Sequence, residues 1–447
     1  MPVRRQTAAG SRNFSASGFF NRTETEYQKL ANISVVAYAY PDNFCSRSQA
    51  AILRYAMKIL ITTDLFTTET NGVVTSVRNL RSELEASGHE VRILTLSDSI
   101  HSHADGAVTY IRSIPFGVVY PDVRMPTSYR HPLIRALVDW KPDIIHSQCE
   151  FFSYQYAKYI SKRTGAPIVH TYHTLYEQYV TYIFPSQKLG ARAVGFLSQK
   201  RLKRVSHLVA PTSKVEKTLR GYGIEQDISV VPSGICLEQH KQPLSKEARL
   251  ERRRELGIAD DDLVLLNLGR LGTEKNLSEL LDLFAEAASN TDHLFFLIVG
   301  DGPAKEELEQ QAHALGLTGK IRFTGMVPPS QVQNYYQLGD VFVSASTSET
   351  QGLTYVEAAA NGLPLLCRRD PCLDDVLLPG ENGFTYTCAS EFLAALDAVR
   401  RDPQWRTAAG LKSKEIAAAF DTSTFGKSIE AIYEAVLQKE TLHANDR

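Results

Sequence analysis

An α/β protein of two Rossmann-like domains facing a central cleft is what this sequence predicts, on three observations. From Met57 onward, short β-branched runs alternate with helical patterns. That order gives a parallel sheet with crossover helices. The alternation restarts at Leu263, after a charged, strandless stretch from Ser245 to Arg254 that reads as a linker. The 447 residues are enough for two to three domains.

The elements follow in order. Lys58 to Thr63 is a first strand. Gly72 opens a helix with Val73, Val77, Leu80 and Leu84 on one face, and Gly88 stops it. Strands follow at 90–96, 143–148, 167–170, 207–212 and 228–232. The second unit repeats the theme at 263–269, 294–300, 321–325, 340–346 and 363–368. The end is helical, clearest at 391–401 and 425–438. The expected division is an N-terminal extension at 1–56, a first domain at 57–240, a second at 241–424, and a last helix at 425–447 that crosses back to the first. The extension holds six arginines and only three acids, and Met57 stands directly before the first strand. It reads as a misassigned start, with a floppy extension or a transit peptide as the alternatives.

Composition narrows the function. The chain is 43% hydrophobic and 22% charged, which excludes a disordered chain. No apolar run reaches the roughly 18 residues of a membrane span. Six cysteines stand without a C-x-x-C pair, so free thiols in a reducing cytoplasm are expected. Net charge is −1, but residues 1–240 hold 28 Lys and Arg against 19 Asp and Glu, and residues 241–447 hold 21 against 31. A basic first half suits phosphate or an anionic membrane; chance composition is the alternative. Near-zero net charge and no reader motif argue against nucleic acid. The third glycine of a dinucleotide fingerprint is missing after Gly300-Asp301-Gly302, which argues against a nicotinamide enzyme.

The informative segment runs from Ser346 through Glu349, Gln351, Gly352 and Leu353 to Glu357. A strand ends, a loop holds Glu349, and a helix starts near Gly352. Two carboxylates there suit a hydroxyl-rich ligand, and the helix start suits phosphate. Upstream, Arg270 and Lys275 follow the second domain's first strand. Arginine offers a fork of donors and lysine a point charge, so the two can converge on one polyanion. At Asn71-Gly72 the missing Cβ lets an anion approach the helix start, although a plain turn would read the same.

These motifs resemble the retaining nucleotide-sugar glycosyltransferases of family 4, which have the GT-B fold. The resemblance covers about Met57 to Leu437 and includes GRLGTEKN (269–276), VGDGP (299–303), FTGMV (323–327) and the Glu349/Glu357 segment. More narrowly, HTYHTLYEQYVTYI (170–183), SETQGLTYVEA (348–358) and HSQCEF (146–151) resemble the bacterial 1,2-diacylglycerol 3-alpha-glucosyltransferases. The family's commonest form has an aromatic and a glycine after the first glutamate; here Thr350-Gln351 stand there.

The resemblance implies the roles. Arg270 and Lys275 would hold the donor diphosphate, Glu349 the transferred sugar, and Glu357 the ribose. The backbone of Gln351, Gly352 and Leu353 would touch sugar and phosphate, Met326 and Val327 would lie against the base, and Gly72 near the diphosphate. His173 would stand near the reacting sugar; His170 is ambiguous. The donor would be UDP-glucose, the acceptor a diacylglycerol or another lipid, and the product an α-glycoside formed by front-face attack. No cofactor or metal is expected. Another acceptor, or a silent nucleotide-sugar binder, remains open. Lys188, Arg192, Lys200, Arg201, Lys203 and Arg204 alternate with Leu189, Val194, Phe196, Leu197 and Leu202, a basic amphipathic pattern that suits an anionic membrane surface. A sheet-packed helix with a charged outer face is the alternative. Tyr176, Tyr179, Tyr182, Ile183 and Phe184 would line an acyl-chain entrance or a local core. A peripheral position on the inner face of the cell membrane is therefore expected.

Overall fold

In the computed structural model, residues 56–67, 71–116, 124–175, 187–240 and 242–445 are described. The expected extension at 1–56, apart from Ala56, and the aromatic run at 176–184 lie outside them. The first sheet is built from β1 (Lys58–Thr62), β2 (Glu90–Ser97), β3 (His103–Asp105), β4 (Val108–Pro115), β5 (Arg124–Pro126), β6 (Ile144–Ser147), β7 (Ile168–Thr171), β8 (His207–Ala210) and β9 (Ile228–Val230). Its order is 3-4-2-1-6-7-8-9, with β5 on β4. All pairs are parallel except β3 with β4 and β4 with β5. The helices are α1 (Gly72–Ala86), α2 (Pro132–Trp140), α3 (Phe152–Thr164), α4 (Gln187–Leu202) and α5 (Ser213–Gly221).

The second sheet is β10 (Leu263–Leu268), β11 (Leu294–Val299), β12 (Ile321–Phe323), β13 (Val341–Ser344), β14 (Leu365–Arg368) and β15 (Gly383–Tyr386), in the order 12-11-10-13-14-15. Its helices are α6 (Lys246–Glu255), α7 (Leu277–Asn290), α8 (Lys305–Ala314), α9 (Pro329–Tyr336), α10 (Leu353–Ala360), α11 (Ala389–Arg401) and α12 (Pro403–Ala417), followed by α13 (Thr422–Asn445). Both sheets belong to one compact unit, Ala56–Arg447.

Each sheet is buried on both faces, as βαβ crossovers require. Side chains alternate across β1: Leu60 joins one core, Ile59 and Ile61 the other. Val264 and Leu266 divide from Leu263 and Leu265 in the same way on β10. The stretch from Ser245 to Arg254 is not a linker. Ser245 caps α6 by accepting from Ala248 N, and Arg253 is buried, donating to the Leu338 carbonyl and pairing with Asp340. Its charge density hid a helix tied down by long-range polar contacts. The strands β3, β4, β5 and β15 were also not expected.

The last helix crosses back. Phe425, Ile429, Ile432, Tyr433 and Val436 join the core that contains Ile59, Val77 and Leu80. The Tyr433 hydroxyl lies 2.6 Å from His146 Nδ1, at the end of β6. Among the described residues no helix is long and apolar enough to cross a membrane. Ile429 is fully buried, so Ile429→Ala is expected to cost about 2–5 kcal/mol of stability by leaving a cavity. Urea unfolding followed by a first-domain fluorescent label would report it; an unchanged midpoint would deny the crossing helix its role in that core.

Candidate active site

The strand ends of the two sheets meet at a cavity of about 340 Å³. Such crevices beyond the carboxyl ends of parallel strands are where α/β folds bind ligands. Gly72, His173, Arg270, Lys275, Glu349 and Glu357 all line it. Residues about 280 positions apart in sequence are thus brought to one place. Gln351, Gly352 and Leu353 line it too.

The second domain supplies the charged wall. β10 ends at Leu268, and a 3-10 turn at Thr273–Lys275 follows. Arg270 pairs with Glu274, and Lys275 Nζ lies 2.5 Å from Glu349 Oε1. The two bases therefore each hold a carboxylate. Burial by itself would raise the Glu349 carboxyl. The Lys275 charge and hydrogen bond, with help from Ser346 and Lys214, overcome this and leave it below the usual range. Gly352 turns the chain into α10 at φ 73°, and a Cβ there would come within 2.4 Å of the Tyr355 ring. Only glycine fits both demands.

Glu357 sits in the second turn of α10. Burial pushes its carboxyl up to about 7, partly offset by the Tyr336 hydroxyl, which donates to Oε2 at 2.7 Å. Tyr336 is itself fully buried. Nothing in the sequence pointed to this tyrosine: it stands at the end of α9 and reaches α10 through its hydroxyl.

The first domain supplies a neutral wall. His173 lies two residues beyond β7, with Nε2 2.7 Å from Gln148 Oε1. Burial, and then His170 nearby, lower its pKa to about 3. It is uncharged near neutrality, and with Nε2 donating to Gln148 its Nδ1 is an acceptor. His170 is a fully buried strand residue whose Nε2 lies 3.2 Å from Glu150 Oε1, and it does not line the cavity. Asn71 caps α1 by accepting from Val73 N, and Gly72 faces Leu353 across the gap.

Other expected residues fall elsewhere. Met326 is 64% exposed and Val327 is buried in the second domain's core; neither lines the cavity. On α4, Arg192 and Lys200 are exposed, as are Lys203 and Arg204 just after it. Phe196 and Leu197 are 66% and 52% exposed. Leu202 and Ser198 face inward, and Gly195 abuts the Tyr222 ring. Arg201 departs from the expected surface role: its Nη1 donates to the Glu150 carbonyl at 2.9 Å, beside the Phe151 ring. The Lys188 side chain lies outside the described residues. Lys214 was missed altogether. Its ammonium reaches the carbonyls of Thr347 and Glu349 and pairs with Asp370 at 2.8 Å. Among the described residues, Asp261, Asp262 and His293 form the one group with metal-ligand spacing; none of them lines the cavity.

The raised Glu357 carboxyl makes pH matter. The folded protein holds a proton there that the unfolded chain has lost, so this group's contribution to stability falls as pH rises from about 4.5 to about 7. Tyr336→Phe removes the hydrogen bond that favours the carboxylate. The Glu357 titration, read by carboxyl carbon NMR, is expected to move upward from about 7; a downward move would refute the contact.

Comparison with known proteins fits this geometry. Residues 70–239 match the family described as Glycosyltransferase Family 4, and residues 248–415 match Glycosyl transferases group 1. The alpha-monoglucosyldiacylglycerol synthase of Streptococcus pneumoniae is 34% identical over 381 residues, covering 84% of this chain and 85% of that protein. The protein of the same name from Acholeplasma laidlawii is 29% identical over 402 residues, covering 88% and 100%. Among solved structures, Anabaena Alr3699/HepE in complex with UDP and glucose aligns with a TM-score of 0.67 at 19% identity, over 85% of this chain and 99% of that one. Sucrose-phosphate synthase from Thermosynechococcus elongatus aligns at 0.68 with 20% identity, over 85% and 99%. With two facing, mostly parallel sheets, a charged cleft between their strand ends, and a relative 34% identical along most of its length, the chain belongs to the GT-B glycosyltransferases of family 4 and group 1.

Proposed function

We propose that the protein is a retaining glucosyltransferase that moves glucose from UDP-glucose to a diacylglycerol hydroxyl, forming an α-glycolipid. The observation that carries this reading is the single cavity holding Arg270, Lys275, Glu349, Glu357 and His173. The names of the S. pneumoniae and A. laidlawii relatives supply the lipid acceptor, and the UDP and glucose in the Anabaena complex support the donor.

The chemistry follows from where charge develops. The bond from the anomeric carbon to the β-phosphate oxygen breaks, and a bond from that carbon to the acceptor oxygen forms on the same face. The acceptor proton passes to the leaving phosphate. Arg270 and Lys275 meet the negative charge that grows on UDP, and they accelerate the step only as far as they bind the transition state more strongly. Glu349 would take sugar hydroxyls and Glu357 the ribose. Neutral His173 offers an acceptor to the sugar without repelling its developing positive charge. The base would lie toward exposed Met326, with Val327 beneath. These roles need no metal or cofactor.

Purified protein with UDP-glucose and diacylglycerol micelles should yield a monoglucosyl lipid by mass spectrometry, and UDP-galactose, GDP-mannose and soluble sugars should yield less product. Lys275→Ala should lower turnover by about 100-fold or more, the scale of one lost transition-state contact. Product from soluble sugars alone would replace the lipid acceptor. Near-normal turnover in the folded Lys275→Ala protein would remove the diphosphate role.

The lipid must reach the cleft from a membrane, and α4 offers the surface. Phe196 and Leu197 stand exposed among Arg192, Lys200, Lys203 and Arg204, with Lys188 the further expected contact. Arg201 contributes through the fold instead. The protein would thus work peripherally at the inner face of the cell membrane. Each base near an anionic surface is worth about 1 kcal/mol, so changing Lys200, Lys203 and Arg204 together to Gln should weaken binding to anionic vesicles roughly 100-fold. UDP binding should persist. Parental sedimentation with such vesicles would rule this face out.

A further inference from the structure

The loop that carries Glu349 is held largely by the other domain. Gln351 is 6% exposed and both its polar atoms turn to Ser233. Its Oε1 accepts from Ser233 N at 2.8 Å, and its Nε2 donates to Ser233 O at 2.9 Å. A primary amide carries a donor and an acceptor side by side on one planar group, which matches the N–H and C=O of a single residue. Ser233 is 2% exposed and its hydroxyl lies 2.9 Å from Ser76 Oγ, on the helix that Gly72 opens. Gln351 is thus joined through Ser233 to the first-domain face of the cleft.

The neighbouring positions repeat the pattern. The Thr350 hydroxyl donates to the His173 carbonyl at 2.9 Å, and the Thr350 carbonyl accepts from Thr212 Oγ1 at 2.7 Å. Lys214, from the same first-domain helix start, donates to the Glu349 carbonyl at 3.0 Å. Glu349 and His173 are therefore linked by one continuous polar seam. At its far side only a Cβ added to Gly72 would come into contact with Leu353 Cδ1, at 3.8 Å, so the glycine leaves a narrow gap between the two faces.

We propose that Gln351 is a positioning residue for glycosyl transfer. Its amide couples docking of the first domain to the placement of Glu349 and His173, so the groups around the sugar assemble only when the two sheets are held together. This rests on the reading of the cavity as a nucleotide-sugar site. It goes beyond that reading in giving the Gln351 side chain a task separate from donor contact. The second domain's own Arg270, Lys275 and Glu357 hold the nucleotide without it. Losing the amide leaves the buried Ser233 N–H and C=O without partners, which favours opening at the seam.

The test uses the full chain with Gln351→Gly and Gln351→Glu. UDP affinity is measured by calorimetry, and kcat and KM with UDP-glucose and diacylglycerol micelles. For Gln351→Gly, UDP affinity should stay within about threefold of the parent while kcat falls roughly 10- to 100-fold, the scale of a misplaced reacting group. Hydrogen exchange at the Ser233 amide should accelerate. Gln351→Glu keeps the acceptor but sets an oxygen against the Ser233 carbonyl, so its kcat should also fall. If the glycine variant does not fold, the glutamate variant decides on the same two readouts. UDP affinity falling in step with kcat would make Gln351 a donor contact and overturn the proposal, as would an unchanged kcat. A parent that neither binds UDP nor transfers glucose would instead refute the site itself.

Discussion

The Lys275–Glu349 pair, 2.5 Å apart at the floor of the cleft, is the interaction around which the site is organised. Burial would otherwise discharge a carboxylate here, and the ammonium holds it ionised. The pair fixes the end of β10 against the loop after β13, two strands adjacent in the sheet but about 75 residues apart in sequence. In the proposed reaction an incoming diphosphate would meet a lysine already oriented, leaving less reorganisation for the step itself. Arg270 is restrained in the same way by Glu274. The cleft is therefore a set of preformed ion pairs that an anion can share.

Three titratable side chains in that cleft are driven in three directions. Glu349 is held low by its cation, Glu357 is pushed up to about 7 by burial, and His173 is lowered to about 3 by burial and by His170. Two glutamates eight positions apart thus differ in charge near neutrality. The difference lies in their neighbours: an ammonium beside one, a tyrosine hydroxyl beside the other. His173 opposite them is neutral, so the first-domain wall of the cavity adds no charge, and both bases stand on the second-domain wall.

The interface between the sheets is polar where it touches the site and apolar behind it. Gln351, Thr350 and Lys214 fasten the Glu349 loop to the first domain, while α13 returns to bury Phe425, Ile429 and Tyr433 in the first domain's core. Hydrogen bonds at the seam contribute about 1 kcal/mol each and can exchange with water; the buried side chains of the crossing helix cannot be withdrawn without a cavity. The helix therefore keeps the halves together, and the seam sets how they meet.

Much of this could be read from the residues. The strands at Lys58, Leu263 and Leu294 follow from short, nearly continuous apolar runs and the helix at Gly72 from a 3.6 period, signals that are local. The wall of Arg270, Lys275, Glu349 and Glu357 was legible because those residues stand in compact motifs at strand ends. Local signal also explains the errors. The charged run at 245–254 read as a linker because Asp340, the partner of its buried Arg253, lies far along the chain. Arg201 looked like its surface neighbours until the Glu150 carbonyl was beside it. Tyr336 against Glu357, Gln148 against His173, Lys214 against Asp370 and Gln351 against Ser233 join positions 21 to 156 residues apart. Residue type and spacing set which groups could do chemistry. Packing of the two sheets decided which are charged, which are aimed, and which are committed to holding the cleft together, because burial and pairing depend on neighbours in space that no local pattern encodes.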